Sequence, residues 1–268
     1  MSLRIQTNVE AFNAQRHLSD TSDRIAKSME RLSSGYRINR AADDAAGLSI
    51  SEKLQAQITG LGQASRNAQD AVSLVQTAEG SLEEVHAMLQ RVRELAVQYK
   101  NGTNSTQDQQ AIQSEVNQLA SEIERVGAGI EFNGIKLLSA TGLVTFQIGA
   151  KDGEVITVST ISLGATVGTA WYGLTATGAS DISDIDAAIS AVSSQRTTYG
   201  AVQNRLEHTL NTLSTYQENL VASESRIKDV DMAAEMVEFT KLQVLQNAGT
   251  SMLAQANQSS QSVLTLLR

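Results

Sequence analysis

From Leu54 to Ala96 every seventh residue is Leu, Ala or Val: Leu54, Leu61, Ala68, Val75, Leu82, Leu89 and Ala96. Ile58, Val72, Val85 and Val92 fill the companion positions. A column sustained this long keeps one side of a helix apolar over many turns, which is the pattern of coiled-coil packing. A helix over 44–99 would be ~84 Å long at ~1.5 Å per residue. Such a helix tolerates no internal proline, because proline removes a backbone donor and clashes with the preceding turn. Average usage would place roughly 13 prolines in a chain this long. None of the 268 residues is proline. Gly60, Gly62 and Gly80 lower helix propensity, and we read them as points where a neighbouring helix comes close.

A second strict column, Ile185, Val192, Tyr199, Leu206, Leu213, Leu220 and Ile227, predicts another long helix. It starts after a cap at Ser180-Asp181 or Ser183-Asp184 and stops at Lys228-Asp229-Val230-Asp231. Between the two columns, Ile112, Val116, Leu119, Ile123, Val126 and Ile130 alternate spacings of four and three. The turn Asn101-Gly102-Thr103-Asn104-Ser105 is short, so this helix should pack antiparallel to the one before it.

After the turn at Asn133-Gly134 the period changes to two. Phe146 and Ile148 alternate with Thr145 and Gln147; Ile156 and Val158 alternate with Thr157 and Ser159. Ala150-Lys151-Asp152-Gly153 lies between them, so a β-hairpin is predicted, with surface loops completing residues 139–182. Trp171 and Tyr172 suggest a small local cluster there.

The two ends are different. Val9, Phe12, Leu18, Ile25, Met29 and Leu32 form a stripe on a helix too short to be stable alone. Leu245, Ala248, Met252, Ala256, Val263 and Leu266 form the stripe of the last helix. We expect these helices to pair, and their incompletely covered stripes to drive self-association. The stretch from Leu32 to Leu48 joins the first helix to the long one. Gly35 closes the first helix, Arg37 and Arg40 are followed by the Asp43-Asp44 pair, so a compact charge switch crosses the gap, and Asp43 or Asp44 can cap the helix that follows.

Composition narrows the function. Without cysteine, neither a disulfide nor a thiolate metal site can form. A net charge of −8 suits nucleic acid poorly, and no window approaches the ~18 apolar residues of a membrane span. The start, from Met1 to Asn8, has no continuous apolar run and does not read as a conventional signal peptide. Aromatics are only 4 %, little for an enzyme core. His17, His86 and His208 sit on separate helices, so they read as surface or packing residues rather than ligands. Gly60-Leu61-Gly62 is no phosphate loop, since no strand precedes it and no Gly-Lys-Ser/Thr follows. We expect neither catalysis nor a cofactor or metal.

The motifs then carry a resemblance. Leu32 to Leu48, Ala64-Ser65-Arg66-Asn67-Ala68-Gln69-Asp70, Gly200 to Leu206, Glu224 to Ala233 and Met252 to Gln258, with Leu266-Leu267-Arg268, resemble bacterial flagellin in the same order. The resemblance covers about 1–138 and 183–268. It implies a mainly α fold: a long antiparallel coiled-coil bundle with a small β-hairpin, plus a terminal two-helix coiled coil. It implies an inner-tube domain, D0, at 1–34 and 236–268, and linkers or spokes at 35–47 and 228–235. It implies a helical rod, D1, at 48–138 and 183–227, with 139–182 too short for a large outer domain.

The implied function is a structural subunit of the bacterial flagellar filament, secreted by type III export to an extracellular site. The alternative is a hook-filament junction-type or other coiled-coil interaction protein. Implied partners are further copies of the chain, the flagellar cap and hook-junction proteins, and an export chaperone on roughly 230–268. Gln90, Arg91, Leu95 and Glu115 are similar to the positions that Toll-like receptor 5 of an animal host reads in many flagellins. The resemblance also makes Arg37, Arg40, Asp43 and Asp44 spoke contacts between subunits. Phe12, Leu18, Ile25, Leu32, Leu245, Met252, Val263 and Leu266 become the assembly stripe of D0.

Overall fold

The computed structural model describes residues 8–167 and 181–266. Trp171 and Tyr172, with most of the loop around them, lie outside the described residues. The chain falls into two compact units: Gln57–Glu218, and the paired segments Met1–Ala56 and Asn219–Arg268. The boundaries of these units fall within α2 (Ala45–Tyr99) and α5 (Asp181–Lys228), so each helix contributes to both.

In the larger unit, α2 packs with α3 (Thr106–Gly129) and α5. The predicted columns are its core. Leu61, Ala68, Val75, Leu82, Leu89 and Ala96 are buried, as are Ile185, Val192, Tyr199, Leu206 and Leu213. Ala64, Ala71, Ala78, Val85 and Val92 supply the second row of α2, with small alanines toward one end. Each leucine so buried contributes about 1.5–3 kcal/mol relative to exposure. Ion pairs across the two helices follow their antiparallel register: Arg196 to Glu79 at 2.7 Å, Arg93 to Asp186 at 2.6 Å and, just past the end of α2, Lys100 to Asp181 at 3.6 Å. Ser105 and Asp108 form a reciprocal capping box that starts α3 right after the polar turn.

The hairpin is longer than the period-two pattern suggested. β3 (Ser139–Gln147) pairs antiparallel with β4 (Val155–Ser162), with Phe146 opposite Ile156 and Val144 opposite Val158. Ile156 and Val158 enter the helical core, and Gly153, at φ +87°, makes the turn. Two further elements were not legible. Asn133-Gly134 closes a small hairpin of β1 (Glu131–Phe132) and β2 (Ile135–Lys136), both turn residues having positive φ. A single short helix, α4 (Leu163–Val167), follows β4, with Leu163 and Val167 buried.

The helix glycines do not all match our reading. At Gly60 the close neighbour is the hairpin turn, where an added Cβ would lie 3.1 Å from that of Ala150. Gly62 faces Gln217 of α5 at ordinary contact distance, and Gly80 faces open space.

In the other unit, α1 (Val9–Ser34) lies antiparallel to α6 (Met232–Leu266). The Asn8 side chain accepts from the backbone N–H of Ala11 as the helix cap, and its amide donates to the carbonyl of Ala256 at 2.9 Å. Gly35, at φ +75°, ends α1 in the left-handed conformation.

Candidate assembly surfaces

The seam between α1 and α6 follows alternating spacings of three and four. On α1 it runs through Ala11, Ala14, Leu18, Thr21, Ile25, Ser28 and Leu32. On α6 it runs through Glu235, Phe239, Leu242, Gln246, Gly249, Leu253 and Ala256. Leu18, Ile25 and Leu32 therefore hold the pair together within one chain. On α6 the residues facing α1 are Leu242, which is buried, and Leu253, while Leu245 and Met252 of the expected stripe stay exposed. The helix is apolar on several faces, so more than one column reads as a stripe. Gly249 lies opposite Leu18 in the seam, where a Cβ would sit 3.4 Å from the leucine Cδ1, an ordinary contact. Arg24 pairs with Glu238 at 2.7 Å and Arg31 with Glu235 at 3.6 Å along the seam's edge. Ser28 is buried in it with no hydrogen-bond partner for its hydroxyl.

The seam leaves much apolar surface outside. Val237 is 68 % exposed, Val244 66 %, Met252 65 % and Phe12 63 %. Val9, Met29, Met232, Met236 and Leu245 are also exposed. The side chains of Val263 and Leu266 lie outside those described. Contiguous apolar surface on helices of this kind marks an interaction site.

The junction is a folded clasp. Tyr36 pairs with Asp229 as an isolated antiparallel bridge; the Arg37 N–H donates to the Lys228 carbonyl at 2.7 Å and the Val230 N–H to that of Gly35 at 3.0 Å. The Lys228 ammonium sits 4.6 Å from the centre of the Tyr36 ring, and the Arg37 guanidinium donates to the Ile227 carbonyl at 2.6 Å. Ile38 is buried beneath this polar layer. Asp44 is the cap, accepting from the Gly47 N–H at 2.9 Å. Asp43 instead binds Lys27 at 2.6 Å and accepts from the backbone N–H groups of Arg40 and Asn39. Arg40 reaches Glu30 at 2.9 Å. All four residues singled out in the sequence thus have partners within the chain.

The Lys27 hydrogen bond, then the Arg40 N–H, bring the Asp43 carboxyl down to about 2. A group whose folded pKa is depressed stabilises above its unfolded value and loses that effect as pH falls through the folded one. The clasp should therefore loosen between about pH 4 and about pH 2. Carbonyl NMR of Asp43 should show a midpoint near 2, and a midpoint near 4 would contradict the Lys27 bond.

A third surface lies on the larger unit. Arg91 bridges Glu115 at 2.9 Å and Glu94 at 3.1 Å, and Gln90 contacts His86 Nε2 at 2.9 Å. The pairing with both glutamates raises the Arg91 pKa, Glu115 first. Leu95 is 1 % exposed and packs in the core. It was expected on the receptor-facing surface, but its face of α2 lies in the column buried by α3 and α5, unlike the exposed Gln90, Arg91 and Glu115. Among the described residues no group of His, Asp and Glu is arranged to hold a metal.

Sequence reasoning missed three residues: Leu242, hidden among competing apolar columns, and Ile38 and Gly47. Ile38 was visible as the single large aliphatic between Gly35 and Leu48. Gly47 had no signal beyond being glycine. A Cβ there would lie 2.8 Å from Ile38 Cδ1 and press on the Asp44 carboxylate.

Comparison with known proteins places these surfaces in a context. Residues 5–142 match the model of the bacterial flagellin N-terminal helical region, and residues 182–267 that of the C-terminal helical region. A flagellin of Halalkalibacterium halodurans is 52 % identical over 277 residues, covering 98 % of this chain and 99 % of the relative. A flagellin of Bacillus subtilis is 48 % identical over 306 residues, covering 99 % of this chain and all of the relative. The crystal structure of Bacillus cereus flagellin superposes with a TM-score of 0.51 at 31 % identity, over 59 % of this chain and 94 % of that one.

Proposed function

The chain belongs to the bacterial flagellin family and is a structural subunit of the flagellar filament, and from that premise we propose that the outward apolar face of its paired terminal helices is the surface by which copies join. The observation that carries this reading is the exposed set Phe12, Val237, Val244 and Met252, which lies outside the seam by which the two helices pack on each other. Covering such area among identical neighbours is favourable at roughly 25 cal/mol per Å². Phe12, Leu245 and Met252 act between copies, and Val263 and Leu266 extend the stripe in sequence. Leu18, Ile25 and Leu32 act within each copy. The clasp made by Arg37, Arg40, Asp43 and Asp44 sets the chain's exit from the helix pair, and its charged rim contacts the adjacent copy.

Purified subunit added to short filament seeds should extend them, as seen by electron microscopy. Subunit that stays dispersed beside intact seeds would overturn the reading.

The same face explains the remaining partners in our proposal. Uncovered in a free subunit, it would aggregate, so an export chaperone holds about 230–268 until the chain passes through type III export. The cap and the hook-junction proteins then meet the same helices outside the cell. Gln90, Arg91 and Glu115 form an exposed polar face for Toll-like receptor 5. Arg91→Ala should weaken binding of the subunit to the receptor ectodomain about tenfold, the loss of one charge-assisted contact. Unchanged binding would remove this face from consideration.

A further inference from the structure

We propose that the terminal-helix surface carries an oxidation switch: the thioethers of Met29, Met232, Met236 and Met252 are the sites at which a peroxide blocks assembly of the free subunit. This rests on the reading of that surface given above and adds its regulation. The chain has six methionines and no cysteine, so thioethers are its only oxidisable sulfurs. Four of them sit on α1 and α6 beside the seam, with exposures of 50 % for Met29, 48 % for Met232, 47 % for Met236 and 65 % for Met252. Met88, on the larger unit, is only partly exposed and packs against the core. Reactive sulfur is therefore concentrated on the one surface that must be apolar for copies to join.

The step balances simply. The thioether sulfur attacks one oxygen of hydrogen peroxide, the O–O bond breaks, and the second oxygen leaves as water after proton transfer. Sulfur is oxidised by two electrons and the peroxide is reduced. The product is a polar, chiral sulfoxide where a flexible apolar chain stood. Buried between copies, its oxygen would need a hydrogen-bond partner, and the neighbouring side chains named above (Val237, Val244, Leu245) offer none. Leucine at these positions would keep the apolar area without the chemistry. Once copies are joined the same sulfurs are covered, so the switch acts on the subunit and spares the filament.

The test treats dispersed subunit and finished filament separately with dilute hydrogen peroxide, then maps oxygen gain by peptide mass spectrometry and assays seeded extension. In the subunit, Met29, Met232, Met236 and Met252 should be oxidised before Met88, and the critical concentration for extension should rise about tenfold or more. Methionine sulfoxide reductases should restore extension, and the filament should be oxidised much more slowly. A variant with all four changed to Leu should extend seeds equally before and after peroxide. Oxidised subunit that extends seeds as well as untreated subunit overturns the proposal, as does faster oxidation of Met88. If the Leu variant fails untreated, the reductase arm decides: recovery supports the switch and no recovery overturns it. Failure of untreated native subunit to extend seeds would instead overturn the assembly surface itself.

Discussion

A chain lacking residues 236–268 is expected to form no filaments while keeping the helices of 57–218 folded. The deletion removes most of α6 (Met232–Leu266), and with it Leu242, Gly249 and Leu253, the residues that face α1. It leaves α1 a single amphipathic helix of 26 residues whose stability comes from packing rather than propensity. Both the intrachain seam and the outward face carrying Val237, Val244 and Met252 disappear together. The core of Gln57–Glu218 is built from α2, α3, α4, α5, β4 and the link Leu137-Leu138, all of which the truncated chain keeps. Its thermal transition by circular dichroism should shift little, since changes away from a core usually fall within about 0.5 kcal/mol. Normal filaments from the truncated chain would refute the assembly role of the terminal pair.

Gly47→Ala is expected to impair assembly far more than it lowers the stability of 57–218. The added methyl displaces two side-chain ends that form the clasp: it meets Ile38 Cδ1 at 2.8 Å and the carboxylate of Asp44. Overpacking costs about 1–3 kcal/mol, and disturbing the Asp44 cap adds about 0.5–2 kcal/mol. Ile38 is the apolar floor of the clasp, so the strain falls on the segment that also carries the Arg37 and Asp43 bonds. Seeded extension should drop several-fold beyond what the melting temperature of the larger unit explains. Equal losses in both measurements would make Gly47 a general stability residue only.

The two heptad columns were legible because a residue buried at every seventh position leaves a long regular mark in the sequence. Each member from Leu61 to Ala96 is in the core. In the last helix the residues facing α1 were not legible, for the opposite reason. Where Val244, Leu245, Leu242 and Met252 are all apolar, periodicity cannot choose a face. The packed pair shows the face: Leu242 is buried and Leu253 half-buried, while Val244, Leu245 and Met252 stay exposed. The small β1–β2 hairpin escaped because two-residue strands carry no period, although Asn133-Gly134 marked its turn. Leu95 belonged to a recognisable motif, yet a motif does not say which of its side chains point inward.

The sequence by itself determined the helical architecture, the break at 228–231, the two-ended pairing and the family, because these rest on local pattern and on long ordered motifs. Only the tertiary structure decided which apolar residues face a partner within the chain and which remain for other copies. It also decided that Asp44 caps while Asp43 binds Lys27. Those outcomes depend on how closely two backbones approach and on which neighbour reaches a side chain first, and neither distance is written in the order of residues.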